Sequence, residues 1–195
     1  MNLKILPVAA VLTLTVVLSE RRGEAQPCRS RLAAEVNSFI QQSYGGSLES
    51  PKTTFRKRVP PPPVRDMVNA LRGMGYEIGD PYVDLGLDNS FNYSVKRDGK
   101  AWRLCVSMVG PYAVLFRLGR DEQLTLLADV RPPTLGHEIK KVVSDGKYTL
   151  LDRATLSCAT DLKLEHTVTA GRPVRFWQAL VRDESELPWE PRRQR

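Results

Sequence analysis

The sequence predicts an α+β fold of antiparallel β-meanders with helices packed on one face, preceded by an N-terminal signal segment and one extra helix. Three patterns carry this expectation. Apolar stripes recur at helical spacing around residues 32–40, 64–71 and 135–143. Two alternating strands flank Asp98-Gly99, and an uncharged apolar run at 5–18 fits no amphipathic element.

That run comes first. Lys4 and the amino terminus precede Ile5–Leu18, a short positive region followed by an apolar stretch of secretory-signal length. It is shorter than the roughly 20 residues that cross a hydrocarbon core comfortably. Gly23 and Ala25 supply small residues at positions −3 and −1 of a peptidase site, so cleavage would leave Gln26 first. Arg21 and Arg22, directly after the apolar run, oppose the usual charge asymmetry of export. A cleaved signal over residues 1–25 is the leading reading, with an uncleaved anchor and a buried N-terminal helix as alternatives. Cys28 lies too far from Leu18 for a lipoprotein anchor.

Residues 26–63 read as a helix and a proline-rich basic linker. Leu32, Val36, Phe39 and Ile40 form an apolar stripe that Tyr44-Gly45-Gly46 ends, so this helix must dock on something. The chain then runs polar and basic to Pro60-Pro61-Pro62-Pro63, whose fixed φ favours an extended segment.

Residues 64–195 form the predicted globular domain. Val64, Met67, Val68 and Leu71 make a second helical stripe, stopped by Gly73 and Gly75, and Tyr76-Glu77-Ile78 suggests a short strand. Phe91, Tyr93 and Val95 then alternate with polar residues, as do Trp102, Leu104, Val106 and Met108, around the two-residue turn Asp98-Gly99. That turn sets Val95 opposite Trp102, Tyr93 opposite Leu104 and Phe91 opposite Val106. A slip by one residue would send the whole set to the wrong face. Further strands are expected at Tyr112–Leu118 and Leu124–Ala128.

Thr134 is a candidate N-cap for a third helix carrying Leu135, Ile139, Val142 and Val143, ended by Asp145-Gly146. Strands are expected afterwards at Tyr148–Leu151, Ala154–Cys158, Leu162–Val168 and Val174–Val181. Gly75-Tyr76-Glu77-Ile78 and Gly146-Lys147-Tyr148-Thr149-Leu150 hold matching places after two helices. A duplicated helix-plus-meander and a chance echo account for this equally well. Trp189, between Pro188 and Pro191, is expected to fold back on the body.

Composition places the chain among ordinary globular proteins, with 42% apolar residues in 195. The net charge is +7, and loss of residues 1–25 would remove Lys4, Arg21 and Arg22 against Glu20 and Glu24, lowering it by one. Such a charge suits anionic surfaces or acidic proteins, or serves solubility alone. Three cysteines follow the apolar run: Cys28, Cys105 and Cys158. An oxidising compartment allows one disulfide and one free thiol. The expected pair is Cys105 with Cys158, both within predicted strands, leaving Cys28 free.

No constellation compels an enzymatic reading. His137-Glu138 resembles the start of a zinc-protease helix, but the place of the second histidine holds Lys141. His166 alternates with Leu162, Leu164 and Val168, the setting of a part-buried histidine, and neither histidine accompanies a recognisable nucleophile. Asp80, Asp84 and Asp88 recur every fourth residue without the ligand spacing of a calcium loop. Arg56, Lys57 and Arg58 form the densest basic cluster, suited to phosphates or lipid head groups or simply solvated. Phe91, Tyr93 and Trp102 would make either a binding platform or core.

The sequence therefore favours a non-enzymatic extracytoplasmic protein-binding domain, such as an envelope inhibitor or immunity-type factor. One alternative is a secreted or periplasmic hydrolase using His166 or the Asp80 to Asp88 loop. Another is a polyanion- or membrane-surface-binding module using Arg56, Lys57 and Arg58. No cofactor and no metal are implied, the partner expected is another protein, and nucleic acid is disfavoured.

Overall fold

Turn chemistry fixes the centre of the molecule. Asp98 (φ 50°) and Gly99 (φ 68°) both occupy the left-handed region, the requirement of the tight turn whose twist matches a hairpin. Strands β2 (Ser90–Arg97) and β3 (Lys100–Ser107) leave it in the expected register, with Val95 opposite Trp102, Tyr93 opposite Leu104 and Phe91 opposite Val106.

Around this hairpin lies a mixed α/β fold, a six-stranded and mostly antiparallel sheet with five helices. This computed structural model describes residues 28, 30–45, 59–84, 88–119, 124–127, 136–160, 162, 173–182 and 187–189. The sheet runs β1 (Glu77–Ile78), β2, β3, β4 (Tyr112–Leu118) and β5 (Leu124–Leu126). The short β6 (Thr149–Leu150) joins β4 in parallel at Tyr112 and Ala113, away from where β5 pairs with residues 116–118.

Helix α1 (Arg31–Tyr44) begins where the Ser30 hydroxyl accepts from the Ala33 N–H at 3.0 Å and ends at Gly45, an N-cap and a left-handed C-cap. Helix α2 (Pro62–Gly73) starts inside the proline run, because a missing N–H costs nothing in a first turn. The extended stretch thus stops at Pro61 (φ −67°, ψ 161°) instead of Pro63. Helix α3 (Gly136–Asp145) follows, then α4 (Arg153–Leu156) and α5 (Phe176–Leu180).

These helices cover both faces of the sheet, which corrects the expectation of helices on one face. Phe91, Tyr93, Val95, Trp102, Leu104, Val106, Ala113 and Leu115 pack with residues of α2 and α3. On the reverse face, Cys105, Tyr112, Val114 and Phe116 pack with residues of α1, α4 and α5. The reason lies in β4: Tyr112 to Phe116 is one unbroken buried run, and a strand apolar on both sides needs cover on both. The unassigned docking partner of α1 is therefore this second face, where Val36 and Ile40 are wholly buried.

Two expected strands are helical, and among the described residues no second meander forms. In place of a strand at 154–158, Asp152 caps α4, its carboxylate accepting from the Thr155 N–H at 2.8 Å. In place of a strand at 174–181, the Gln178 side chain reaches back to the Arg175 N–H at 2.6 Å and starts α5. Short apolar runs do not distinguish a buried strand from a buried helical turn. The expected strand at 162–168 lies outside the described residues after Leu162. Trp189 does fold back, its ring 5.7 Å from that of Trp177. No helix among the described residues is long and apolar enough to cross a membrane.

The disulfide also differs from expectation. It joins Cys28 to Cys158, and Cys105 is the buried free thiol. Cys105 stands mid-strand between Asn92 and Val114, whereas Cys158 follows a helix instead of lying in a neighbouring strand. The expected geometry for pairing those two is thus absent, and the segment entering α1 meets Cys158 instead.

Candidate functional site

The second helical layer covers β4 and its neighbours, and among the described residues no helix covers the β1 side of the same face. Side chains alternate along strands and cross-strand partners share a face, so the open surface can be read from the register. Asn92, Ser94 and Lys96 of β2 stand beside Cys105, Arg103 and Ala101 of β3. On the outer side, Glu77 pairs with Lys96 and Tyr82 with Asn92. Glu77, Ser94, Lys96 and Arg103 are exposed and Asn92 is half-buried. Tyr82 is 64% exposed and is one of three large apolar or aromatic side chains so presented among the described residues.

Its backbone is nonetheless fixed. The Tyr82 N–H donates to Asn92 O at 2.9 Å, and the Asn92 N–H donates back at 3.1 Å. A tyrosine on a fixed backbone, on the sheet face that also carries Arg103, offers the residue types that dominate binding energy at protein interfaces. Lys96 and Glu77 give the rim both signs of charge.

Next to this surface a buried polar node ties the sheet to the helices. The Asp88 carboxylate, wholly buried, accepts from Arg182 Nη1 at 3.0 Å and from the Asp84 N–H at 2.8 Å. Asn89 Nδ2 donates to the Tyr44 hydroxyl at 3.2 Å and to Gln178 O at 3.1 Å, while the Tyr44 hydroxyl donates to Ala179 O at 3.0 Å. The Ser90 hydroxyl donates to Val181 O at 3.1 Å. Residues 88–90 are therefore a structural staple between α1, α5 and the sheet. Asp88 serves that staple rather than an open carboxylate loop, while Asp80 stays exposed.

A second cluster pins the hairpin tip to α3. The Tyr76 hydroxyl and Arg97 Nη1 both donate to Glu138 Oε2, at 2.9 and 2.8 Å. The Arg97 guanidinium also lies 4.8 Å from the Tyr76 ring centroid, within cation–π range. Burial first, and the Glu138 hydrogen bond second, push Tyr76 up to about 12. Glu138 thus acts as a clamp across 62 residues of chain.

The other candidates fall apart as a constellation. Phe91, Tyr93 and Trp102 are 1%, 3% and 2% exposed, so they are core beneath α2 and α3 and not a binding platform. Tyr82, the one aromatic among the described residues that is mostly exposed, belongs to the irregular stretch after β1. No periodicity marks it. His137 is exposed on α3. His166 and the cluster Arg56, Lys57 and Arg58 lie outside the described residues. Burial pushes the Cys105 thiol up to about 12, which keeps it protonated and poorly nucleophilic. Among the described residues no three His, Cys, Asp or Glu side chains gather to hold a metal ion. Lys96, Ser94 and Arg103 carried a legible signal: they are the polar alternates of the hairpin strands, assigned by parity to the face opposite Phe91 and Trp102.

Comparison of the chain with protein-family models, with curated proteins and with solved structures finds no match.

Proposed function

We propose that this chain is an exported, non-enzymatic domain that binds another protein through the open sheet surface around Tyr82, as an envelope inhibitor or immunity-type factor does. The observation that carries the reading is Tyr82, 64% exposed, its backbone held by two hydrogen bonds to Asn92, on the sheet face that also presents the exposed Arg103, Lys96 and Ser94. With its backbone already ordered and two side-chain torsions to settle, a tyrosine loses little freedom on binding, so its contact area converts efficiently to affinity. Export draws support from the apolar run at 5–18 and from the Cys28–Cys158 disulfide, since such bonds persist in oxidising compartments. The hydrolase alternative draws no support from the described residues, because the Asp88 carboxylate is engaged by Arg182.

The test is capture from the native envelope or medium by the exported protein and its variants. Replacing Tyr82 by Ala is expected to weaken retention of a stoichiometric partner by about thirtyfold, a hot-spot loss. The double variant His137→Ala, His166→Ala should retain the partner fully. A partner that ignores Tyr82→Ala and Arg103→Glu would refute the proposed surface, and an activity that needs either histidine would refute the non-enzymatic reading.

A further inference from the structure

The register of the hairpin sets two like charges side by side. Lys96 stands opposite Ala101 in the pairing of β2 with β3, and Arg103 lies two residues further along β3, opposite Ser94. Lys96 and Arg103 are thus diagonal neighbours on one face, with Cβ atoms no more than about 8 Å apart. Both are exposed, as is Ser94. Among the described residues neither cation forms an ion pair, Glu77 on the neighbouring β1 included. Asp80 follows Glu77 in the stretch outside β2, so acidic charge lies at the outer edge and basic charge further in.

Like charges so placed repel, and an anion set between them relieves the repulsion. Ser94 is adjacent to both cations, two residues before Lys96 on β2 and opposite Arg103 on β3. On its other side Arg103 adjoins Phe116 of β4, which is buried against Trp177 with ring centroids 5.7 Å apart. A cation beside an apolar wall is screened less than one surrounded by water. An ammonium, a guanidinium and a hydroxyl are donors suited to carboxylate oxygens.

We propose that this part of the face takes an extended acidic segment of the partner protein, with carboxylates at alternate residues seated on Lys96 and Arg103 across Ser94. The inference rests on the reading that the face around Tyr82 binds a protein, and it names the chemistry of that partner. Alternate side chains of an extended segment project to one side about 7 Å apart, which matches the diagonal spacing of the two cations. Contacts of this kind steer encounter and fix register more than they add affinity, while Tyr82 supplies contact area. The net charge of +7 acts in the same direction at long range.

The experiment titrates the exported protein, disulfide intact, into fluorescently labelled, end-blocked peptides that alternate threonine with glutamate or threonine with glutamine, and follows anisotropy. The glutamate peptide should bind, and the glutamine peptide should bind at least about tenfold more weakly. Lys96→Gln and Arg103→Gln should each weaken the glutamate peptide about fivefold, the range of a partly exposed ion pair. Ser94→Ala should weaken it about threefold, and Glu77→Gln should strengthen it about twofold by removing a like charge. Lys96→Glu with Arg103→Glu should instead take up a peptide alternating threonine with lysine. An unchanged circular dichroism spectrum and thermal midpoint establish that each variant is folded. Raising salt from about 0.05 to about 0.5 M should weaken the glutamate peptide about tenfold. Equal binding of the glutamate and glutamine peptides, or no response to salt, would overturn the proposal, as would tighter binding of single-stranded RNA or inorganic phosphate. In capture from the native compartment, a partner lost with Tyr82→Ala but kept by Lys96→Gln with Arg103→Gln would overturn this inference and leave the Tyr82 surface standing. A partner that ignores Tyr82→Ala, while the glutamate peptide binds as expected, would remove the Tyr82 contact and leave the acidic one.

Discussion

Arg182 reaches back 94 residues to donate to Asp88 at 3.0 Å, and the carboxylate it meets is wholly buried. The pair closes the end of the sheet at which β2 begins, and the adjacent Asn89 and Ser90 bond to α1 and α5. Removing the Asp88 carboxylate takes away a buried, charge-assisted hydrogen bond, a loss of about 2 kcal/mol. Asp88→Ala is expected to lower unfolding stability by that amount, and Asp88→Asn, which still accepts from the Asp84 N–H, by less. Denaturant titration of both variants checks the order. The double variant with Arg182→Met should cost less than the sum of the single changes.

The cysteine pairing has a direct chemical consequence. Peptide mapping without reduction should recover Cys28 joined to Cys158, and Cys105 should alkylate only after unfolding, since its thiol is buried. The bond closes a loop with a sequence separation of 130. In the chain-entropy view such a bond contributes up to about 5 kcal/mol. Reduction, or Cys28→Ser, should therefore lower the thermal midpoint sharply. Recovery of a Cys105–Cys158 peptide would contradict the observed pairing.

The buried tyrosines give the fold an alkaline limit. Burial pushes Tyr76, Tyr93 and Tyr112 from 10.0 up to about 12, with help from Glu138 at Tyr76 and from Glu35 at Tyr112. The folded state thus holds neutral phenols that the unfolded chain would ionise first. Their contribution is complete below pH 10 and is lost as pH rises from 10 through about 12. Phenolate absorbance should show these groups titrating late in native protein and at the ordinary position in denaturant. Stability should fall over the same window.

Two aromatic residues should respond in opposite ways to truncation. Trp102→Ala opens the core between the sheet and α2, at a cost of about 3–5 kcal/mol. Tyr82→Ala, at the surface, should change stability by no more than about 0.5 kcal/mol. Equilibrium unfolding of the two variants separates the core residue from the presented one.

The hairpin was legible to the residue because independent signals agreed. Asp98-Gly99 demands positive φ, and the alternation of Phe91, Tyr93, Val95, Trp102, Leu104 and Val106 admits one register. The same reasoning located α1, α2 and α3. It failed where an element was shorter than its period could declare. The apolar residues of 154–158 and 174–181 fit a strand as well as a helical turn, and the deciding facts were the caps at Asp152 and Gln178. A strand at 154–158 would bring Cys158 beside Cys105, whereas the helical turn there leaves it bonded to Cys28. The candidate surface was half legible. Parity assigns Ser94, Lys96 and Arg103 to one face, but Tyr82 follows Gly79-Asp80-Pro81, where no periodicity indicates direction. That the helices leave this face open is a tertiary fact, set by α1, α4 and α5 packing on β4.

Binding through this surface requires a partner seated around Tyr82. A photo-crosslinking amino acid at position 82 or 103, compared with one at the exposed Lys140 on α3, tests this in the native compartment. Positions 82 and 103 should each yield an adduct with the same partner protein, and position 140 none. Adducts confined to position 140, or none at 82 and 103 under conditions where the partner co-purifies, would contradict it.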